Sequence, residues 1–302
     1  MSTPLKNVVL IGASGTVGQI ILQALLACPD INVTVVSRNT SDATFPPEVS
    51  VRRIDFSESE LSSAFTGQDA VISAVGATAF TEQKKFIDAA VHAGVKRFIP
   101  SEFSSNTPNE SVLRMVPLFN QKKDILDYLQ SKESVGLTWT GIATSLLFDW
   151  GLTSGFLGYD LSKRTAIIWD GGDKRFTLIN ERELGQCVVS VLKHPQETIN
   201  KYLYISSVEV SQQEILQTLE AVTASKWKVI NTTSDAQTTE AFKRLRDGDF
   251  SGGLILVRAT SYANDPTLHA NYATDEELAN DLLGLKPESV KQTIKRVLGQ
   301  HE

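Results

Sequence analysis

Seven residues near the amino terminus restrict this chain more than any other feature. Gly12-Ala13-Ser14-Gly15-Thr16-Val17-Gly18 directly follows the apolar run Asn7–Ile11 and opens a helical pattern. The run reads as a buried strand. Residues 16–27 read as a helix, with Val17, Ile20, Ile21, Ala24 and Leu25 at helical spacing and Pro29 ending it. Glycines at this spacing alone describe only a tight turn. Between a strand and a helix they acquire a mechanism. Gly12 allows the turn, Gly15 lets the backbone approach a pyrophosphate, and Gly18 lets helix and sheet pack closely. The helix start offers free N–H groups and a positive dipole end to the anion. A dinucleotide site follows, with Gly12, Ser14, Gly15, Thr16, Val17 and Gly18 as its phosphate cradle.

The alternation continues. Strands are expected at 33–37, 49–54, 69–74, 96–100 and 138–143, and helices at 59–65, 82–93 and 118–131. Strands apolar on both faces and separated by helices imply a parallel sheet covered on both sides. The fold class is therefore α/β: a Rossmann-type doubly wound parallel sheet with a smaller C-terminal α+β substrate domain. The strand ends at Gly12, Ser37, Ala74 and Pro100 should share the carboxyl edge, where ligands bind. Beyond about residue 150 the pattern loosens. A hairpin is expected from 165–169 and 175–179 around Asp170-Gly171-Gly172-Asp173, with a strand at 201–205. Helices are expected at 181–192, 211–222, 236–246, 275–283 and 288–298. The chain divides into a dinucleotide-binding part, 1–150, and a mainly substrate or cap part, 151–302, interleaved with the first.

Composition removes other classes. The formal charge of -6 argues against a nucleic-acid partner held by bulk charge. Cys28 and Cys187 form no C-x-x-C pair, and no two of the four histidines are spaced as metal ligands, so no metal site is expected. No apolar run approaches the roughly 18 residues of a membrane span, and no targeting signal is legible. A reducing, cytoplasmic setting fits this cysteine usage. The oligomeric state stays open.

The tip of the second strand selects the cofactor. An NAD site places an acid about 20 residues past the glycines, on the ribose hydroxyl. Here Ser37-Arg38-Asn39 stands at that tip and no acid does. A guanidinium suits a 2′-phosphate, so NADPH is the expected cofactor, with Arg38 and Asn39 at its adenosine end. Ser73, Val75 and Gly76 end the fourth strand, where ribose and pyrophosphate would pass, and Asp55-Phe56 would flank the adenine. Ser101, Glu102 and Phe103 follow the fifth strand and Phe148 and Trp150 follow the sixth, so these five are the candidate substrate-binding residues.

Three stretches carry a family resemblance. They are the loop Gly12 to Gly18, Gly67-Gln68-Asp69-Ala70-Val71-Ile72-Ser73-Ala74-Val75-Gly76, and Ala93-Gly94-Val95-Lys96-Arg97-Phe98-Ile99-Pro100-Ser101-Glu102-Phe103. The chain resembles the NmrA-like, or isoflavone reductase-like, atypical short-chain reductases, and is most similar to their fungal branch associated with secondary metabolism. The resemblance implies an NADPH-dependent reductase of a small aromatic or polyketide-like molecule. It also places a lysine early in the helix after Pro-Ser-Glu-Phe, in a setting like F-x-x-K. Phe119-Asn120-Gln121-Lys122 matches, so Lys122 is the candidate catalytic residue, beside the nicotinamide. A desolvated lysine can exchange a proton with a phenol, enol or carbonyl oxygen. Tyr128-Leu129-Gln130-Ser131-Lys132 spells the Tyr-x-x-x-Lys of common short-chain dehydrogenases, but too near the far end of the helix, and reads as a decoy. Some NmrA-like relatives bind the cofactor as sensors, which gives the alternative: a non-catalytic NADP(H)-sensing regulator acting through a protein partner.

Overall fold

The computed structural model describes residues 3–300. Its strands are β1 (Asn7–Ile11), β2 (Asn32–Arg38), β3 (Ser50–Ile54), β4 (Ala70–Ser73), β5 (Arg97–Ile99), β6 (Thr138–Ala143), β7 (Leu146–Leu147), β8 (Tyr159–Asp160), β9 (Thr165–Trp169), β10 (Arg175–Ile179), β11 (Lys201–Tyr204), β12 (Val208–Ser211) and β13 (Lys228–Thr232). Seven form a sheet in the order β11-β6-β5-β4-β1-β2-β3, with every pairing parallel. The order reverses between β1 and β4. That reversal opens a crevice at the strands' carboxyl ends, where Gly12 and Ala74 stand.

Alternation along each strand builds two covered faces. Val8 and Leu10 pack on one side with Ile21 and Leu25 of the helix Thr16–Leu26 and with Leu184 and Val188 of the helix Glu181–Lys193. Val9 and Ile11 pack on the other with the helices Glu58–Phe65, Gln83–His92 and Asn120–Ser131. The seventh strand, β11, comes from late in the chain and lies beside β6. A second apolar core gathers β9, β10 and the helices Gln212–Thr223, Ser251–Tyr262 and Val290–Val297. Two of these helices start in capping boxes, Ser211 with Glu214 and Ser289 with Gln292.

Two expectations are corrected. The segments at 165–169 and 175–179 are strands, but they do not pair as a hairpin. β9 pairs with β8 and β13, whereas β10 pairs with β7 and β12. The turn Asp170-Gly171-Gly172 is left-handed throughout and carries the chain from one small sheet to the other. The Asp170 carboxylate accepts from the Ser234 N–H at 2.9 Å, which ties the turn to a distant helix start. The helix expected at 275–283 is replaced by a single turn, Tyr272–Asp275. Beyond it the chain adds to the sheet edge: the Ala279 N–H donates to the Tyr204 carbonyl at 2.8 Å, and Asn280 brackets the backbone of Ser206. The Ala279 N–H thus pairs with the sheet edge and not within a helix.

Candidate cofactor cleft and active site

The glycine loop is held by contacts that no other residue permits at two positions. Gly12 has φ +82°, and a Cβ there would stand 2.5 Å from the Ala74 carbonyl oxygen. A Cβ on Gly18 would stand 2.0 Å from the Gly12 oxygen, so helix and loop touch backbone to backbone. The Gly15 N–H donates to the Gly12 carbonyl at 3.1 Å and closes the turn. The helix then starts from Gly15 with no side-chain cap and no acid in its first turn, which leaves its positive end facing outward.

Beyond the loop lies a cleft of about 440 Å³. Gly12, Ser14 and Gly15 form its floor, Val75 and Gly76 one wall, and Arg38, Thr40 and Ser41 its far end. No carboxylate lines it among the described residues. The exposed Arg38 guanidinium lies 5.7 Å from the centre of the Phe56 ring, which stands edge-on to Phe86. Phe56 lines the cleft, but Asp55 does not: its carboxylate turns back to accept from the Ser57 N–H at 2.7 Å. Thr40 and Ser41 add a hydroxyl pair that no motif in the sequence marks. Arg53 donates to the carbonyls of Ser41 and Ala43 and so holds their loop.

Some expected cofactor residues stand elsewhere. Ser73 is fully buried in β4, behind the cleft, and its hydroxyl has no protein partner. Asn39 meets β3 through its N–H, which donates to the Ile54 carbonyl at 2.8 Å, and does not line the cleft. Thr16 opens onto a separate groove beside the helix Glu181–Lys193. Val17 and the buried Gly18 shape the helix start without lining the cleft.

A buried polar cluster lies past the ends of β4 and β5. The Ser101 hydroxyl donates to the Val75 carbonyl at 2.7 Å, and its N–H donates to Gln83 Oε1 at 2.8 Å, which joins the two strand ends. Lys122 is only 4% exposed. Its Nζ donates to the Glu102 carbonyl at 2.6 Å and sits 4.9 Å and 4.7 Å from the rings of Phe80 and Phe119. Burial among these rings pulls the Lys122 ammonium down to about 8, although the Glu102 carboxylate opposes the shift. Burial raises Glu102, and the charge of Lys122 opposes it in turn. Tyr202 on β11, which sequence reasoning missed, donates its hydroxyl to Glu102 Oε2 at 2.9 Å. Nothing local could have announced it, because the partners are a hundred residues apart.

Phe103 packs into the sheet core. Phe148 is fully buried and packs within the second core. Trp150 sits 5.5 Å from Phe156 and faces the groove of Thr16, Glu181 and Arg296. A helix starts directly after β7, at Phe148; it buries Phe148 and turns Trp150 toward that separate groove. Tyr128 and Lys132 both engage Asp88, at 2.6 Å and 3.0 Å, and join two helices at the surface.

Comparison with known proteins bears on the family and the fold. Residues 4–245 match the NmrA-like family. The oxidoreductase aprR of Aspergillus flavus is 35% identical over 299 residues, covering 97% of this chain and 98% of that one. The oxidoreductase poxI of Penicillium oxalicum is 30% identical over 289 residues, covering 95% and 92%. Among solved structures, AtPrR2 with NADP+ and (+)pinoresinol superposes with TM-score 0.78 at 19% identity, over 98% of this chain and all of that one. The leucoanthocyanidin reductase–NADPH complex from Vitis vinifera superposes with TM-score 0.79 at 15% identity, over 97% and 99%. With residues 4–245 matched and a relative 35% identical along nearly the whole length, the chain belongs to the NmrA-like family.

Proposed function

We propose that this protein is an NADPH-dependent reductase of a small aromatic or polyketide-like secondary metabolite, with Lys122 managing the proton. The observation that carries the reading is a lysine buried among aromatic rings at the carboxyl edge of a sheet whose glycine loop leads into an uncapped helix start beside a cleft. Relatives named oxidoreductases and neighbours solved with NADP+ or NADPH support it. When bound, NADPH supplies a hydride from its nicotinamide. The chain's own residues do the rest. The loop and the helix end hold the pyrophosphate, and Arg38, with Thr40 and Ser41 beside it, takes the 2′-phosphate. Lys122 Nζ holds a proton near neutrality and can pass it to a developing oxyanion. The rings of Phe80 and Phe119 keep water from the ammonium.

The test is loss of NADPH absorbance with a panel of enones, ketones and aryl ethers, alongside the affinities for NADPH and NADP+. Turnover of at least one compound is expected. Tight binding without turnover on any of them overturns the reading in favour of a cofactor-sensing regulator. Cofactor choice has its own test. Arg38→Ala is expected to weaken NADPH by about ten-fold or more and to leave NADH nearly unchanged, because only the former carries the phosphate. Isothermal titration with both cofactors checks this, and equal losses would remove Arg38 from the 2′-phosphate site.

A further inference from the structure

Behind Lys122 stands a hydrogen-bonded chain that the proposed reaction leaves unexplained. Glu102 takes part in it twice. Its carbonyl accepts from Lys122 Nζ at 2.6 Å, and its carboxylate accepts from the Tyr202 hydroxyl at 2.9 Å. The Tyr202 oxygen accepts in turn from the Thr107 N–H at 3.2 Å. Two strand positions further, Tyr204 donates to Asn106 Oδ1 at 3.1 Å. Residues two apart on a strand share a face, so β11 grips both ends of the loop 102–107 with adjacent rings, 5.4 Å between centres. Glu102 itself is 1% exposed. An ionised carboxylate so placed needs both a hydrogen-bond donor and a counter-charge.

We propose that Tyr202 is a positioning residue for the active site: by donating to Glu102 it keeps that carboxylate ionised and aimed, and the carboxylate keeps Lys122 an ammonium between Phe80 and Phe119. This rests on the reading of Lys122 as the proton carrier.

The surroundings leave few other groups to do the work. On its own helix, Lys123 pairs with Asp127 and Asp124 is exposed. Phe80 and Phe119 carry no charge. From β11 and the turn Tyr272–Asp275 come Tyr202, Tyr204 and Tyr272, which burial keeps protonated. Glu276, one layer out, is engaged by Asn106 and by His269 at 3.2 Å. Glu102 is the carboxylate whose field reaches Lys122. A hydrogen bond to the charged form of an acid favours that form, so deleting the Tyr202 hydroxyl raises the proton affinity of Glu102. A neutral Glu102 no longer opposes the effect of burial on Lys122, whose proton then leaves at lower pH.

Carbon NMR reads this without any substrate. The Lys122 Cε resonance, assigned by its loss in Lys122→Met, is titrated in wild type, Tyr202→Phe and Glu102→Gln. The Glu102 carboxyl carbon is followed in the first two. In Glu102→Gln the Lys122 midpoint is expected to fall by about one pH unit. In Tyr202→Phe it is expected to fall by less, with the Glu102 midpoint raised. Tyr202→Met carries the same test if the Phe variant does not fold. A Lys122 midpoint that stays fixed or rises in folded Tyr202 and Glu102 variants overturns the proposal, because a purely structural tyrosine would move stability and not this titration. A chain that turns over no compound would sink the reductase reading and leave the titration legible. A fixed midpoint in an active enzyme would sink only the positioning role.

Discussion

Lys122→Met is expected to lower turnover by about a hundred-fold or more while leaving NADPH affinity within about three-fold of wild type, the range a positioned proton donor contributes. Methionine keeps the apolar stem among Phe80 and Phe119 and removes only the ammonium. The loss corresponds to about 2.7 kcal/mol or more of transition-state stabilisation. The pH profile adds a sign. A proton donor works in its charged form, so wild-type turnover should fall as pH rises through about 8, where burial has brought Lys122. The Met variant should show low, level activity across that window. Steady-state kinetics over the pH range, with NADPH titrations on the same samples, checks both parts. Near-normal turnover, or a falling limb that survives the substitution, would remove Lys122 from the mechanism.

Much of the scaffold behind that experiment is legible in the sequence because it rests on local pattern. The seven residues from Gly12 to Gly18 announce the crevice, and the unbroken apolar run Val8 to Ile11 announces a strand covered on both faces. Arg38 could be placed because the tip of the second strand sits at a fixed distance from the loop. What failed depends on long-range packing. The helix Ser251–Tyr262 went unread because it opens Ser251-Gly252-Gly253, a spelling that signals a turn. In the fold, a Cβ on Gly252 would stand 2.3 Å from the Ala241 carbonyl oxygen, so the glycine serves the contact between two helices. Phe148 and Trp150 follow a strand end, which suggested a ligand wall, but an immediate helix buries the first and turns the second to another groove. The tyrosines of β11 meet their partners only after the second half of the chain has returned to the sheet.

The same limit applies to Arg97, and the largest stability effect is expected there. Lys96 and Arg97 are adjacent cations, a residue type found mostly at protein surfaces. Only Lys96 behaves so, reaching Asp69 at 2.7 Å, whereas Arg97 is 2% exposed at the start of β5. Its guanidinium donates to the hydroxyls of Thr138, Thr140 and Thr198 and to the Pro195 carbonyl. Those hydroxyls in turn donate hydrogen bonds to the carbonyls of Lys96, Thr198 and His194. The charge is thus spread over backbone oxygens, including those at the negative end of the helix Glu181–Lys193, with no carboxylate paired to it among the described residues. Burial lowers Arg97 to about 10, which leaves it charged at neutral pH. Arg97→Ala should therefore cost about 3 kcal/mol or more, from the cavity and from the stranded Pro195 carbonyl. Arg97→Lys should recover little, because one ammonium cannot reach acceptors spread around a planar fork. Arg97→Met should recover part, because it fills the space and brings no charge to desolvate. Urea unfolding of the three variants checks the ranking. An alanine variant within about 1 kcal/mol of wild type, the ordinary effect of a surface change or less, would show that Arg97 does not hold β5, β6 and the returning helix together.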